Sequence, residues 1–236
     1  MRILVTNDDG INAEGIKHLV AWARTLGEVT VFAPKVEQSG KSQSIEIHKG
    51  YECKKVDLFD GITAYSIDST PADCVRVAVL GFKMSFDLVI SGINRGFNLG
   101  GDVSYSGTVG ACFEAAHQGI KALAISTHWS GFDDAKNNLD RVYEYICDKQ
   151  MFDHTDIINV NIPENGKEIL ITKVGKAIYS DDFDFVNDTV VPVLICTYKG
   201  TKDLTLDTDA TMNGYISISP VTLELTEMNV YNKYHC

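Results

Sequence analysis

Two adjacent carboxylates, Asp8 and Asp9, stand in the turn-forming stretch Asn7-Asp8-Asp9-Gly10 directly after a short apolar run, Arg2 to Thr6. Neighbouring anions repel one another unless a cation lies between them. Hard oxygen donors of this kind suit Mg²⁺ or Mn²⁺, and Mg²⁺ takes one or two carboxylates while keeping water in its other positions. A solvated turn explains the dipeptide equally well, because Asn, Asp and Gly all favour turns. The pair argues against a dinucleotide site, since this turn lacks Gly-x-Gly-x-x-Gly and would set negative charge against a pyrophosphate.

A second constellation runs through Ser91-Gly92-Ile93-Asn94, Gly96, Asn98, Gly100 and Asp102 to Tyr105-Ser106-Gly107-Thr108. Glycines at this density let backbone approach a ligand, and the amides and hydroxyls supply neutral donors and acceptors suited to an oxyanion. Ser106-Gly107-Thr108 falls where a helix begins, so free N–H groups there could hold a phosphate. An ordinary N-cap is the competing explanation. In Gln38-Ser39-Gly40, Ser39 offers either a neutral oxygen to a cation or a donor to substrate, or is simply loop. His48, His117 and His128 have no metal-ligand spacing, and no Cys-x5-Arg or Asp-x-Asp motif supports a covalent phosphoenzyme.

Elements must bring these stretches together. Arg2 to Thr6 reads as a buried strand; Ile16, Leu19, Val20, Ala23 and Leu26 recur at helical spacing and stop at Gly27; Val29 to Ala33 reads as the next strand. This βαβ order predicts a parallel sheet whose ligands gather beyond the carboxyl ends of its strands. Segments 44–48, 51–56 and 62–68 read as antiparallel strands, and Thr70-Pro71-Ala72-Asp73 opens a capped helix. Phe86 to Ser91 reads as a strand, 92–105 as a long loop, 106–118 as a helix, 122–127 as a strand, and Leu139, Val142, Tyr143 and Ile146 mark another helix. After about residue 155 the pattern is strand-like, at 157–162, 169–174, 190–198 and 215–219, without a clear helical period.

With 236 residues and 44% hydrophobic side chains the chain has enough apolar material for one large domain, or one domain carrying a smaller extension, and disorder is excluded as its main state. Its 21 Lys and Arg against 32 Asp and Glu leave a net charge of −11, which disfavours nucleic-acid polymers and anionic membranes. The apolar run at the N-terminus is too short for a signal peptide and no stretch approaches membrane-spanning length, which predicts a cytoplasmic protein. Six scattered cysteines without a Cys-x-x-Cys pair read as reduced, mostly core, thiols.

Several of these stretches recur jointly in one known family. They are Thr6-Asn7-Asp8-Asp9-Gly10, Ala33-Pro34 with Gln38-Ser39-Gly40, Thr70-Pro71-Ala72-Asp73-Cys74-Val75, and Asp87-Leu88-Val89-Ile90-Ser91-Gly92-Ile93-Asn94. Gly96, Asn98, Gly100, Asp102, Tyr105-Ser106-Gly107-Thr108-Val109-Gly110-Ala111, Asp207, Ala210 and Gly214-Tyr215-Ile216-Ser217-Ile218 complete the set. In this order, almost end to end, the chain resembles SurE, the survival protein E family of metal-dependent nucleotidases. The resemblance implies a Rossmann-like domain over 1–155, a mostly parallel sheet with helices on both faces, and a β-rich portion over 156–236 used to form dimers or tetramers, often by exchange between subunits. It implies one divalent metal ion per subunit, Mg²⁺ or Mn²⁺, held by Asp8, Asp9, Ser39 and Asn94. Asn98, Ser106, Gly107 and Thr108 match phosphate-contacting positions. Ser69, Phe86 and Leu206 depart from the usual Gly, Pro and Thr.

The implied reaction is hydrolysis of nucleoside 5′- and 3′-monophosphates to nucleoside and phosphate, in some members also of short polyphosphate, with Asp8, Asp9, Asn94 and Asn98 in the catalytic set. The rival class is a metal-free nucleotide-binding regulatory module, which would have little reason to place two carboxylates where phosphate must approach. A purely structural protein leaves the polar glycine-rich loop unexplained.

Overall fold

The computed structural model describes residues 1–235, with the side chains of Tyr179, Asp181 and Leu194 excepted. The first apolar run forms β1 (Arg2–Thr6), the amphipathic segment after the Asp pair forms α1 (Glu14–Leu26), and β2 (Glu28–Pro34) returns parallel to β1. There follow β3 (Cys53–Val56), β4 (Thr63–Ile67), α2 (Pro71–Arg76) with a π-helical turn behind it, β5 (Leu88–Arg95), and α3 (Gly107–His117). Then come β6 (Lys121–Thr127), α4 (Asp133–Asp148), β7 (Ile157–Ile162) and β8 (Ile169–Ile171). The last elements are β9 (Tyr179–Val186), β10 (Thr189–Cys196), α5 (Asp207–Met212), β11 (Ile216–Val221) and α6 (Met228–Tyr234).

Nine strands form one sheet in the order β3-β4-β2-β1-β5-β6-β7-β11-β8, parallel from β4 through β7. Alternating residues of its strands feed two apolar layers. Ile3, Val5, Val31, Ile90, Leu123 and Val160 meet Ile16, Leu19 and Val20 of α1 and Leu139 and Val142 of α4. On the other face Leu4, Phe32, Val89, Ala122 and Ile157 meet Val75 of α2 and Val109, Cys112 and Ala115 of α3. Each buried Leu or Ile contributes roughly 1.5–3 kcal/mol, so both layers are needed to hold the sheet between its helices. Among the described residues no helix is long and apolar enough to cross a membrane.

Successive strands leave β1 on opposite sides, β2 one way and β5 the other, so the chain reverses direction at the β1–β5 boundary. The loops after β1 and β5 therefore diverge there and leave a crevice at the carboxyl edge, the usual ligand position in open parallel sheets. The chain's polar motifs converge on it.

Several expectations from the sequence are corrected. Residues 44–48 form no strand; their backbone is instead tied to α2, with Glu46 N–H donating to Asp73 and Ser44 O accepting from Thr70 Oγ1. β3 and β4 are antiparallel to each other, but β4 is parallel to β2, because the 28 residues between β2 and β4 allow a crossover. The expected loop from residue 92 begins later: β5 continues to Arg95 by pairing Asn94 with Ser126 and Arg95 with Thr127 of β6 after a register shift. The C-terminal stretch also contains α5 and α6, too short to display a helical period, and β9, masked by its three aspartates, a residue type depleted in strands. Of the cysteines, Cys74 and Cys112 are buried but Cys53, Cys147 and Cys196 are exposed, because they lie on an edge strand, an outer helix face and the hairpin; Cys236 lies outside the described residues.

The strands after residue 155 divide in two. β7, β11 and β8 join the large sheet, whereas β9 and β10 form a separate antiparallel hairpin. Buried polar groups clamp the glycine-rich loop to this C-terminal material. Asp207, at the start of α5, accepts from the N–H groups of Gly100 (3.0 Å), Gly175 (2.8 Å) and Thr208 (2.7 Å). Losing a buried acceptor strands its donors at about 1–3 kcal/mol each. Asp207→Ala should therefore lower the urea-unfolding free energy by at least about 2 kcal/mol, with the slope of the transition unchanged; a loss within experimental error would show that the clamp carries no stability.

Candidate active site

Asp8 lies at the end of β1 with its carboxylate buried, and the N-terminus of α3 is aimed at it. Thr108 Oγ1 donates to Asp8 Oδ1 at 2.5 Å. Gly107 fits against the same side chain: a Cβ there would come within 2.9 Å of Asp8 Cβ, 3.1 Å of Asp8 Oδ2 and 3.2 Å of Gln38 O. The Gln38 N–H in turn donates to Asp8 O at 2.7 Å, so the loop after β2 closes over the Asp8 backbone. Ser106 is the N-cap of α3, its Oγ accepting from Val109 N–H at 3.1 Å, as in the plain-cap reading of the sequence; its hydroxyl hydrogen remains available as a donor.

Burial pushes the Asp8 carboxyl up to about 6, with the Thr108 hydrogen bond opposing the rise and the Asp9 charge adding to it. Asp9 is also raised, first by burial; the Arg95 backbone N–H opposes this and the Glu37 charge adds to it. Two carboxylates held in a state that disfavours their charge are an unfilled demand for positive charge. Asn94 Nδ2 is committed to Gly96 O at 2.7 Å, which leaves the amide oxygen as the group Asn94 can offer. Ser39 Oγ donates to Glu37 Oε1 at 2.7 Å and keeps its lone pairs. Asp9 and Ser39 line one cavity of about 400 Å³, with Arg95, Trp129 and Phe132 on its wall.

This donor set fits a hard divalent cation by its chemistry: two carboxylates, a hydroxyl and an amide oxygen. It contains only two acidic groups, and among the described residues no cluster of three or more His, Cys, Asp or Glu is placed to hold a metal. Asn7 Oδ1, buried beside the pair in sequence, has no hydrogen-bond partner, one more oxygen on this edge lacking a positive neighbour.

Asn98 sits over β6 and β7 rather than on β1. Its Nδ2 donates to Ser126 Oγ (2.7 Å), its backbone N–H to Asn161 Oδ1 (2.8 Å), and its carbonyl accepts from Asn159 Nδ2 (2.9 Å) and Asn161 Nδ2 (3.0 Å). Sequence reasoning missed Ser126, Asn159, Asn161 and the cavity residues Arg95, Trp129 and Phe132. The asparagines had a visible signal: two amides at i and i+2 in the otherwise apolar run Ile157-Ile158-Asn159-Val160-Asn161-Ile162 must both be buried and therefore need partners.

The raised Asp8 carboxyl has a signed consequence for the metal-free chain. With its folded value near 6 and an ordinary value of 3.8, Asp8 favours folding below the ordinary value, and that contribution is lost as pH rises through about 6. Asp8→Asn keeps an acceptor for Thr108 without the charge. In excess chelator it should stabilise the fold at pH 7.5 by up to about 3 kcal/mol, with the gain vanishing toward pH 4. Denaturant melts at the two pH values measure this, and an equal gain at both would exclude Asp8 ionisation as the cause.

Known proteins similar to this chain match it along nearly its whole length. The family model described as "Survival protein SurE" matches residues 3–181. The "5'-nucleotidase SurE" of Thermoanaerobacter pseudethanolicus is 37% identical over 243 residues, covering 98% of this chain and 96% of that protein. The protein of the same name from Caldanaerobacter subterraneus subsp. tengcongensis is 35% identical over 245 residues, covering 98% and 95%. In three dimensions the crystal structure of the SurE protein from Aquifex aeolicus is similar at a TM-score of 0.81 and 30% identity, covering 99% of this chain and 98% of that one. On sequence, fold and coverage together, the chain belongs to the SurE family.

Proposed function

We propose that this protein is a 5'-nucleotidase, hydrolysing nucleoside monophosphates to nucleoside and phosphate with one divalent cation, Mg²⁺ or Mn²⁺, at Asp8, Asp9, Ser39 and Asn94. The observation that carries the reading is the buried Asp8 carboxylate set against the N-terminus of α3, flanked by a second raised carboxylate. The names of the relatives support the substrate class. A cation held by Asp8, Asp9, Ser39 and Asn94 would supply Lewis-acid polarisation of a phosphoryl oxygen and a more acidic water.

The chain's own residues do the rest. Thr108 fixes the Asp8 carboxylate, and Gly107 leaves room for it, so the carboxylate is oriented before substrate arrives. The Ser106 hydroxyl hydrogen, left free by the cap, and the positive end of α3 favour developing negative charge on phosphate. Asn98, clamped by β6 and β7, presents an amide whose position does not depend on the loop alone. Asp9, less buried than Asp8 and open to the cavity, is the carboxylate with space to accept a proton from attacking water. The acidic surface is offset only locally, by the cation and the helix end.

Assembly into a homodimer or homotetramer accompanies this reading. Register on the β9–β10 hairpin pairs Phe185 with Val190 and Phe183 with Pro192, which gathers these four on one face of the hairpin. Phe185 is 77% exposed, and Phe183 and Val190 are about half exposed. An apolar face of this kind outside the main sheet fits burial against a second copy.

Two outcomes test the proposal. Asp8→Asn and Asp9→Asn should each cut metal-dependent phosphate release from AMP by two or more orders of magnitude while leaving circular dichroism intact; wild-type protein that binds AMP without any metal-dependent release would instead be a binding module. Light scattering should give a dimer or tetramer, and Phe185→Asp should shift it to smaller species; a monomer at micromolar concentration in the parent chain would refute the assembly.

A further inference from the structure

The cavity that Asp9 and Ser39 share has a chemistry distinct from the helix end where phosphate is expected. Three carboxylates, Asp9, Glu14 and Glu37, reach it. Its cation, Arg95, is already engaged: Nη2 lies 3.4 Å from Glu14 Oε2, and the guanidinium stacks 4.9 Å over the Phe132 ring. Beyond the proposed cation ligands Asp9 and Ser39, the wall formed by Glu14, Glu37 and the engaged Arg95 offers a phosphate no unengaged positive charge and suits the uncharged end of the same molecule. Its volume, about 400 Å³, falls within the range of small-molecule sites.

Trp129 supplies the apolar wall. A tryptophan 60% exposed is unusual, since the side chain is on average well buried. Its ring is nevertheless fixed, lying on the backbone of Gly96: a Cβ at that glycine would stand 2.8 Å from Trp129 Cζ2 and 3.0 Å from Cε2. Gly96 is anchored in turn by its N–H donating to Thr127 O at 2.8 Å. A braced, exposed indole beside acceptor-only carboxylates offers a stacking surface for a base and acceptors for sugar hydroxyls or exocyclic amines.

We propose that this cavity holds the nucleoside end of the substrate, with Trp129 as the stacking platform for the nucleobase and hence a specificity-determining residue. The assignment rests on the nucleotidase reading for the reaction, but binding of the nucleoside can be tested apart from it. Because the chain has two tryptophans, Trp22→Phe leaves Trp129 as the sole indole reporter. Titration of that variant in chelator with adenosine should give a saturable fluorescence change, and ribose should give none.

The second measurement is kcat/KM for AMP relative to ribose 5-phosphate with metal present. Trp129→Ala should reduce the preference for AMP roughly tenfold, mainly through KM, and Trp129→Phe should restore most of it. Gly96→Ala, which crowds the ring at a positive φ of 118°, should lower the preference in the same direction. An unchanged preference in Trp129→Ala overturns the assignment. If the parent protein releases phosphate from neither ester, the reaction is wrong while a saturable response to adenosine still supports the cavity, and absence of that response overturns both.

Discussion

A single buried carboxylate organises the carboxyl edge of the sheet. Asp8 is carried out of the core on β1, loses its hydration, and is compensated only by Thr108 and the end of α3. Neutral donors of that strength do not restore the ordinary acidity of the group, which remains raised. The tension is electrostatic: burial opposes the charge of Asp8, and the neighbouring charge of Asp9 adds to it. Everything placed around Asp8 follows from keeping it dry yet approachable: Gly107 because no side chain fits there, Gln38 because the neighbouring loop must close on the Asp8 backbone, and Asp9 facing the open cavity.

The scaffold makes this possible by the order of its strands. Reversal at the β1–β5 boundary sends the loops after the two strands apart and opens a crevice between them. The loop that follows β5 would be mobile if left to its glycines. It is instead tied at two distant points, to Asn159 and Asn161 of β7 through Asn98 and to Asp207 through Gly100. Buried amides and a buried carboxylate cost much when unpaired, so each acts as a positional lock for the loop it satisfies.

Division of charge extends outward from the same point. The helix end offers N–H dipoles to an anion, and the cavity next to it gathers carboxylates around an aromatic wall. A molecule with an anionic end and a neutral, flat end is matched in one orientation and repelled in the other. The overall charge of −11 has little bearing on this choice, because the local groups act at contact distance where solvent screening is weakest. The hairpin of β9 and β10 lies outside this division, with an exposed apolar face of its own.

Much of this was legible in the chain because the signals are local. The apolar run before Asn7-Asp8-Asp9-Gly10, the helical spacing from Ile16 to Leu26, and the Thr70 cap, whose hydroxyl does accept the Asp73 N–H, each depend on residues a few positions apart. The order of short motifs identified the family for the same reason. What tertiary structure alone decided lies across long separations: Asn98 meets Asn161 63 residues later, Thr108 meets Asp8 100 residues earlier, and Gly100 meets Asp207 107 residues on. Asn94 and Arg95 read as loop because glycine-rich sequence has no strand preference, and only pairing with β6 extends β5 through them. The direction of β4, the partner of Asp207 and the wall that Trp129 forms against Gly96 have no local code, because each is set by which surfaces remain to be buried once the sheet has assembled.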